Sequence, residues 1–540
     1  MKSFLINTAV ILIGALLFTA SFPNPLFSYG LPVLAWIAYV PVFRVLRNTG
    51  FDPSIKNKSL LNAKKILGSL AVSSLWGALY GYTTYRLFLP WLGAFHPMSG
   101  LFASILHLGY MAVLFPLLKL AQILYPRKGF ILQWLLWLSY EYIKTKGFLG
   151  FPYGITGYTQ WQFPPLIGIA SVFGVWGVSA LVLFPSVYLG AAENRNFFYR
   201  ERLAAAIWLG ALGGSLIFGL MQSNYSENAD SAKIALIQQN ANPWKSDAAE
   251  TKRILTTLKN LSVKALEQEP ATELVVWPET AVTHRIFWHL TYRDNAESYT
   301  AVKELMDFLA VQNVPFLFGN DDARLEVTKS GNWDRVDYNA ALLLEGGEIK
   351  EVYRKNHLVP FGEYFPYEKT FPRLYQALVK ADTNFWKPGK DKLVFRTGRL
   401  RFSVPICFED CFGYISRDFT QNGAQFIVNI TNDSWANSLS SQVQHLAMSV
   451  FRAVENRRSV VRSATSGQTC AIDPSGKILA MAIPFTETVL NAEIPLLTSR
   501  TPYTVWGDLW AVLFCISAFM LLLSGIIRSI LEVSKTGRIQ

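Results

Sequence analysis

The chain has 540 residues and a formal net charge of +12, yet only 16% of its residues are charged, against 51% hydrophobic and 14% aromatic. With a mean hydropathy of +0.23 it is too apolar for an ordinary soluble enzyme and too long for one typical domain. No basic stripe interleaved with aromatics and no recognition-helix pattern accompanies the positive charge, which therefore reads as basic loops at a membrane and not as a nucleic-acid surface.

Apolar runs occupy residues 4–21, 31–46, 66–85, 101–125, 130–146, 165–192, 203–221 and 508–527, most of them close to the ~20 residues a spanning helix needs. The second and fifth are short and interrupted. The first lacks an A-x-A cleavage site and more apolar runs follow at once, so it reads as a retained helix and not a signal peptide. With the amino terminus placed in the cytoplasm and sides alternated, the inside segments carry 15 Lys and Arg, while the short outside loops carry 3, namely Arg86, Lys144 and Lys146. The positive-inside rule then puts both termini in the cytoplasm and the long polar stretch on the far side. The expected organisation is a seven-helix region over 1–221, an outer domain over 222–503, and a last helix with a cytoplasmic tail over 504–540. Glu141 falls in the fifth run. An acid there is either a functional group or a carboxylate hydrogen-bonded to its neighbours near a helix end.

The outer region reads as α/β. "SAKIALIQQN" (Ser231–Asn240) is strand-like and a helical stretch follows at about 247–268. "ELVVWPET" (Glu273–Thr280) is a buried strand ending at a Pro, and a helix at about 297–313 leads into "VPFLFGN" (Val314–Asn320). "ALLLEGGEIKEVYRK" is hairpin-like around Gly346-Gly347, and "RFSVPIC" and "AQFIVNIT" supply further strands. Short β-branched runs alternating with helices predict a mixed sheet covered on both sides by helices. The four cysteines (Cys407, Cys411, Cys470, Cys515) are too few for a disulfide framework. Cys407 and Cys411 are four apart, which suits neither a zinc nor a redox CxxC pair, and the six histidines show no HExxH spacing. No metal and no cofactor is expected.

Three places put a polar residue at the end of an apolar strand, where the active sites of such sheets collect. They are Glu279 in "VVWPET", Lys355 in "VYRKNHLVPFGEY" and Cys407 in "VPICFED". Alone, each has a bland reading: a loop acid or helix cap, a solvated lysine, a core cysteine. Together they make a nucleophile, a base to take its proton, and a cation to stabilise both the thiolate and the oxyanion formed when it attacks a carbonyl.

"WPET", "RKNHLVPFGEY", "PICFED" and then "NITNDSW" resemble, in this order, the Glu-Lys-Cys triad of the nitrilase (carbon–nitrogen hydrolase) superfamily, and the membrane setting narrows the resemblance to the apolipoprotein N-acyltransferases. The resemblance implies a polytopic helical membrane domain of about eight spans plus an extracytoplasmic αββα sandwich. It implies Glu279 as general base, Lys355 as stabiliser of the tetrahedral intermediate and Cys407 as nucleophile. Glu363 matches a further acid orienting Lys355, and Phe408 and Glu409 match the positions beside the nucleophile, with the Phe408 amide as oxyanion donor. Trp244 resembles a family tryptophan near the site, its other reading being a surface aromatic by the membrane, and Trp435 of "NDSWANS" is a second substrate-side tryptophan. In that stretch Ala436 and Asn437 replace the family's usual Phe-Gly, which puts the local turn in doubt.

The implied reaction is ping-pong transfer of an acyl chain from a phospholipid, through a thioester on Cys407, to the α-amine of the diacylglyceryl cysteine of an apolipoprotein at the bacterial inner membrane. A membrane-tethered amidase using water as acceptor, and a transporter or receptor binding ligand without catalysis, are the rivals. The loops "RIFWHL" (Arg285–Leu290) and "NFWKPG" (Asn384–Gly389) are either a lid resting at the membrane or ordinary core aromatics. Cys407 is expected at a tight strand-to-helix turn whose helix, starting near Asp410, favours the thiolate, with Glu409 and Asp410 pointing away and one of them capping that helix. Cys411 is expected to be structural.

Overall fold

The computed structural model describes residues 2–50, 60–223, 230–245, 247–327, 331–380 and 385–537. Lys56, Lys58 and Arg538 of the basic count, and Asn384 of the NFWKPG loop, lie outside the described residues. The chain folds as two units, one made of residues 1–146, 151–220 and 508–540 and the other of residues 147–150 and 221–507.

The first unit is helical. Among the described residues, four of its helices are long and apolar enough to cross a membrane: Ser3–Ser21, Pro97–Leu124, Arg202–Gln222 and Leu509–Glu532. The remaining apolar runs divide differently. The second breaks into a 3-10 turn Pro32–Trp36 and a helix Val40–Asn48, each with a proline in its first turn, because proline cannot continue a helix through its missing N–H. The sixth splits into Pro164–Ile167, Ala170–Phe173 and Val175–Ala191, with Gly174 at φ +65 as the break. The third lies in a 29-residue helix Leu60–Phe88 and the fifth in a 15-residue helix Gly129–Ile143.

Two contacts in this unit follow from residue size and charge. Gly77 and Gly81 form a G-x-x-x-G pair on Leu60–Phe88, and an added Cβ would sit 2.1 Å from Met111 O and 2.3 Å from His107 O, so the two glycines let two helix backbones touch. Glu141 is buried, and its Oε1 accepts the Thr156 N–H at 3.0 Å and the Thr156 hydroxyl. Lys144 Nζ donates to Tyr85 Oη at 3.0 Å and to the carbonyls of Tyr153 and Gly154 at 2.9 and 3.0 Å. One turn of helix thus carries an acid and a base that both hold the segment 153–156, which favours the hydrogen-bonded reading of Glu141.

The second unit holds twelve strands. They are β1 Ser231–Gln238, β2 Leu274–Val276, β3 Phe316–Val327, β4 Trp333–Glu345, β5 Glu348–Arg354, β6 Phe395–Thr397, β7 Leu400–Ser403, β8 Phe426–Thr431, β9 Ser459–Ala464, β10 Cys470–Ile472, β11 Ile478–Met481 and β12 Thr488–Pro495. The strands form two six-stranded mixed sheets, ordered β12-β1-β2-β3-β4-β5 and β11-β10-β9-β8-β7-β6. The single sheet expected from the strand runs is therefore two. Strands buried on both faces read as continuous apolar runs whether a helix or a second sheet covers them. Here one face of the first sheet meets helices Ala248–Gln268 and Ala296–Ala310 through Ile254, Leu258, Val302 and Leu305 packed around Val275, Trp277 and Phe318. The other face meets the second sheet, where the Ser463 hydroxyl contacts the carbonyls of Ile237 and Val276 at 2.9 and 3.1 Å. Helix Leu439–Asn456, buried from Ser440 to Asn456, packs against β9, completing an αββα sandwich.

Local signals start and stop these elements as expected. Asp247 caps Ala248–Gln268 by accepting from Glu250 N at 2.8 Å, and Asn295 caps Ala296–Ala310 by accepting from Ser298 N at 2.8 Å. Gly346 and Gly347, at φ +56 and +76, make the tight β4–β5 turn, which needs positive φ at both positions. β2 runs parallel to β3, and β3 to β4 and β4 to β5 are antiparallel. The ends of β2 and β5 therefore share one edge of the first sheet.

Gly319 on β3 lies against the residue that follows this edge. A Cβ there would sit 2.7 Å from both Glu279 Cα and Thr280 N, backbone atoms that move only with the strand end. Gly319→Ala is expected to cost about 1–3 kcal/mol and to displace Glu279, checked by the melting temperature and by activity of the folded variant.

Candidate active site

Glu279 follows β2 across Trp277-Pro278 and is buried. Its Oε1 accepts from Asn339 Nδ2 at 2.8 Å and faces Lys355 Nζ at 3.4 Å, and its Oε2 accepts from the Asn432 N–H at 3.0 Å. The next residue, Thr280, has φ +53, an outlier for a β-branched side chain that the surrounding contacts must hold in place.

Lys355 is the residue after β5 and has no solvent exposure. Asn339 on β4 fixes its backbone, accepting the Lys355 N–H at 2.8 Å. Its Nζ donates to Glu363 Oε1 at 2.7 Å. Burial opposes the charge on this ammonium, but Glu363 and then Glu279 outweigh it and hold Lys355 above its ordinary range. Glu363 Oε2 in turn accepts the Val359 N–H at 2.9 Å, so the loop that carries Glu363 closes on its own carboxylate. Burial pushes Glu363 up, against the pull of Lys355.

Cys407 is half-buried and begins a 3-10 turn, Cys407–Cys411, beyond the end of β7. Its φ is +50, the strained left-handed region in a residue other than glycine. Burial pushes its thiol up, Glu279 adds to this, and Lys355 and His445 oppose it. The Phe408 N–H has no acceptor among the described residues, as the first turn of a helix leaves it. The α-helix expected near Asp410 begins instead at Gly413, so the thiol sits before a short 3-10 turn and not at a long helix.

Glu409 and Asp410 do not point away. Both are buried. Glu409 accepts from the Tyr353 hydroxyl at 2.9 Å and from the N–H groups of Asn356, His357 and Ile406 at 2.8, 3.0 and 2.8 Å. One carboxylate thereby joins the segment after Lys355 to the residue before Cys407, and burial raises it to about 7 even against those donors. Asp410 accepts from His445 Nε2 and Arg462 Nη1, both at 2.6 Å, and from the Ser449 hydroxyl. Asp433 receives His445 Nδ1 at 2.8 Å and Arg462 Nη2 at 3.0 Å. Glu409, by accepting the Ile406 N–H, makes the acid half of a capping box on its own 3-10 turn, while Asp410 is taken up by buried donors from helix Leu439–Asn456 and β9.

Asn339, Tyr353, Asn432, His445 and Arg462 were not singled out from the sequence. No spacing in the sequence marks them. Asp410, Cys411 and His445 offer donor atoms within 4.8 Å of one another, but both ring nitrogens of His445 are taken by the two aspartates. Cys411 is buried with its Sγ 3.7 Å from Asp410 Oδ1.

The sequence matches two family models. Residues 233–501 match the carbon-nitrogen hydrolase model and residues 14–188 the apolipoprotein N-acyltransferase N-terminal domain. Over 96% of both chains it is 42% identical to apolipoprotein N-acyltransferase 1 of Treponema pallidum (strain Nichols). Over 98% of both it is 40% identical to the protein of the same name from Treponema denticola. Over 92% of this chain and 91% of the other it is 33% identical to apolipoprotein N-acyltransferase of Geobacter metallireducens.

The chain belongs to the apolipoprotein N-acyltransferase family.

The departure from the usual pattern of the apolipoprotein N-acyltransferases has a structural answer. Asn437 stands where glycine is usual and adopts φ 42, ψ 42 as the C-cap of the 3-10 turn Asp433–Ala436. Asparagine is the residue after glycine that best tolerates this conformation, so the turn survives the exchange. Ala436 is buried beneath it. In the same turn Trp435 meets Trp244 edge to face, with centroids 5.2 Å apart and planes at 87°, and Trp244 is 60% exposed. The aromatic loops are anchored: Ile286 is buried, and Trp386 donates from Nε1 to Asp321 at 3.2 Å and from its backbone to the Glu363 carbonyl at 2.9 Å.

Two variants check this geometry. Lys355→Met leaves Glu279 and Glu363 buried without their cation and is expected to destabilise by about 3–5 kcal/mol, read by thermal unfolding in detergent. Glu409→Gln turns an amide toward N–H donors and is expected to cut activity about a hundredfold by loosening the Cys407 turn, read as a fall in kcat with folded protein recovered.

Proposed function

We propose that this chain moves an acyl chain from a membrane phospholipid, through a thioester on Cys407, to the α-amine of the N-terminal diacylglyceryl cysteine of an apolipoprotein. The observation that carries the reading is the meeting of Glu279, Lys355 and Cys407. The first two are bonded to each other, and both act electrostatically on the thiol, in a chain whose amino-terminal region matches the N-acyltransferase domain.

The Cys407 thiol loses its proton as it attacks. Glu279 takes the proton while Sγ bonds to the ester carbonyl carbon, and the carbonyl electrons move onto oxygen. The Lys355 ammonium and the Phe408 N–H stabilise that oxyanion. The carbon–oxygen bond then breaks, the proton passes to the departing glycerol oxygen, and a lysophospholipid leaves. In the second half the substrate amine attacks the thioester, the carbon–sulfur bond breaks, and the proton lost by nitrogen returns to sulfur by way of Glu279. Glu363 keeps the ammonium aimed, and Glu409 ties the Lys355 segment to the Cys407 turn. Trp244 and Trp435, paired edge to face, form an apolar wall suited to substrate.

The membrane arrangement that suits this chemistry has seven crossings in residues 1–221, the catalytic domain in 222–503 on the periplasmic side, and an eighth crossing in 504–540. The 15-to-3 distribution of basic residues and the exposed apolar side chains of Arg202–Ser223, such as Ile207, Ile217 and Leu220, support it. Alkaline phosphatase fused after Ser223 should be active in cells, and the same reporter after Gln540 inactive. The reverse pattern would refute the orientation.

The chemistry is tested by mass. Purified protein given phospholipid should gain one acyl group on Cys407, removable by hydroxylamine, and lose it to a diacylated lipopeptide that becomes N-acylated. Cys407→Ala should do neither. Release of free fatty acid with no lipopeptide product would instead identify a hydrolase.

A further inference from the structure

His445 rises from helix Leu439–Asn456 into a closed ionic cluster. Its Nε2 lies 2.6 Å from Asp410 Oδ1 and its Nδ1 lies 2.8 Å from Asp433 Oδ1. A carboxylate oxygen only accepts, so both ring nitrogens carry hydrogens and the ring is an imidazolium. Arg462 Nη2 is farther, 3.3 Å from Nδ1, and its guanidinium hydrogens go to Asp433 Oδ2 at 3.0 Å and Asp410 Oδ2 at 2.6 Å. Two cations and two carboxylates, with the Ser449 hydroxyl on Asp410, make a neutral cluster away from water. Such a cluster is costly to bury and strongly destabilised when one member is lost.

The cluster joins two parts of the site. Asp410 lies three residues after Cys407 in the same 3-10 turn. Asp433 follows Asn432, whose N–H holds Glu279 Oε2 at 3.0 Å. One rigid ring therefore spans the turn that carries the sulfur and the loop that aims the base. We propose that His445 is a positioning residue for acyl transfer, fixing Cys407 against Glu279 by holding Asp410 and Asp433 a set distance apart. This rests on the acyl-transfer reading above.

The positive charge of the His445 ring also favours the Cys407 thiolate, and Asp433 opposes it. The groups facing the ring are Asp410 and Cys411 from the nucleophile turn, Asp433 from the neighbouring turn, Ser449 from its own helix and Arg462 from β9. With His445 replaced by a neutral residue the cluster is left with one net negative charge, which opposes thiolate formation. With Asp433 made neutral it is left with one net positive charge, which favours it.

The experiment is the rate of Cys407 acylation by phospholipid across pH, read by intact mass, for wild type, His445→Gln and Asp433→Asn. His445→Gln should be acylated about a hundredfold more slowly, with the rising limb of its pH profile displaced to higher pH. Asp433→Asn should also be slowed, with its limb displaced to lower pH. A role confined to stability would move neither limb. The proposal is overturned if either folded variant matches wild type in rate and profile, or if both limbs move the same way. Should His445→Gln fail to fold, the direction of the Asp433→Asn limb decides alone. A wild-type protein that forms no adduct overturns the acyl-transfer reading and this inference with it, whereas a wild-type adduct with unaltered variants overturns this inference only.

Discussion

A lysine without solvent needs counter-charge, and the catalytic unit is arranged around that need. Lys355 has no exposure and meets Glu363 at 2.7 Å and Glu279 at 3.4 Å. Two carboxylates thus face one ammonium. In the proposed mechanism the closer Lys355–Glu363 pair stays intact, while Glu279, farther from the ammonium, takes up and returns the proton.

Strain at the nucleophile is sustained by buried polar clusters on either side of it. A positive φ at a residue other than glycine persists only where its neighbours over-determine it. Glu409 supplies one constraint, gathering three backbone N–H groups and one hydroxyl from two strand ends. The Asp410–His445–Asp433–Arg462 cluster supplies the other. Both are buried far more deeply than surface ion pairs, whose worth is small, and both would be costly to leave half-satisfied. The acids beside Cys407 are therefore scaffold, and their charge is answered before it reaches the sulfur.

The helical unit obeys the same requirement for polar satisfaction in a more apolar setting. Lys144 and Glu141 spend their charge on the backbone of residues 153–156. Gly77 and Gly81 let two helix backbones approach closely, and the Ser74 hydroxyl donates across the same contact to the Ala112 carbonyl at 2.8 Å. Prolines and Gly174 divide two of the eight apolar runs into shorter pieces, because these residues interrupt the hydrogen-bond ladder whatever their hydropathy.

Much of this was legible in order along the chain. Apolar runs, the Gly346-Gly347 turn, and the strand ends bearing Glu279, Lys355 and Cys407 are local patterns. Local patterns are written in the sequence because propensity and turn chemistry act over a few residues. The number of sheets was not legible, since a strand covered by a helix and one covered by a sheet carry the same apolar run. Nor were the directions of Glu409 and Asp410, the donors Asn339 and Asn432, or the ring of His445. Each of these depends on which buried partner arrives from dozens of residues away. By itself the sequence determined which residues could do the chemistry. Only the tertiary structure decided how they are held, because the energy of a buried charge is set by its neighbours in space.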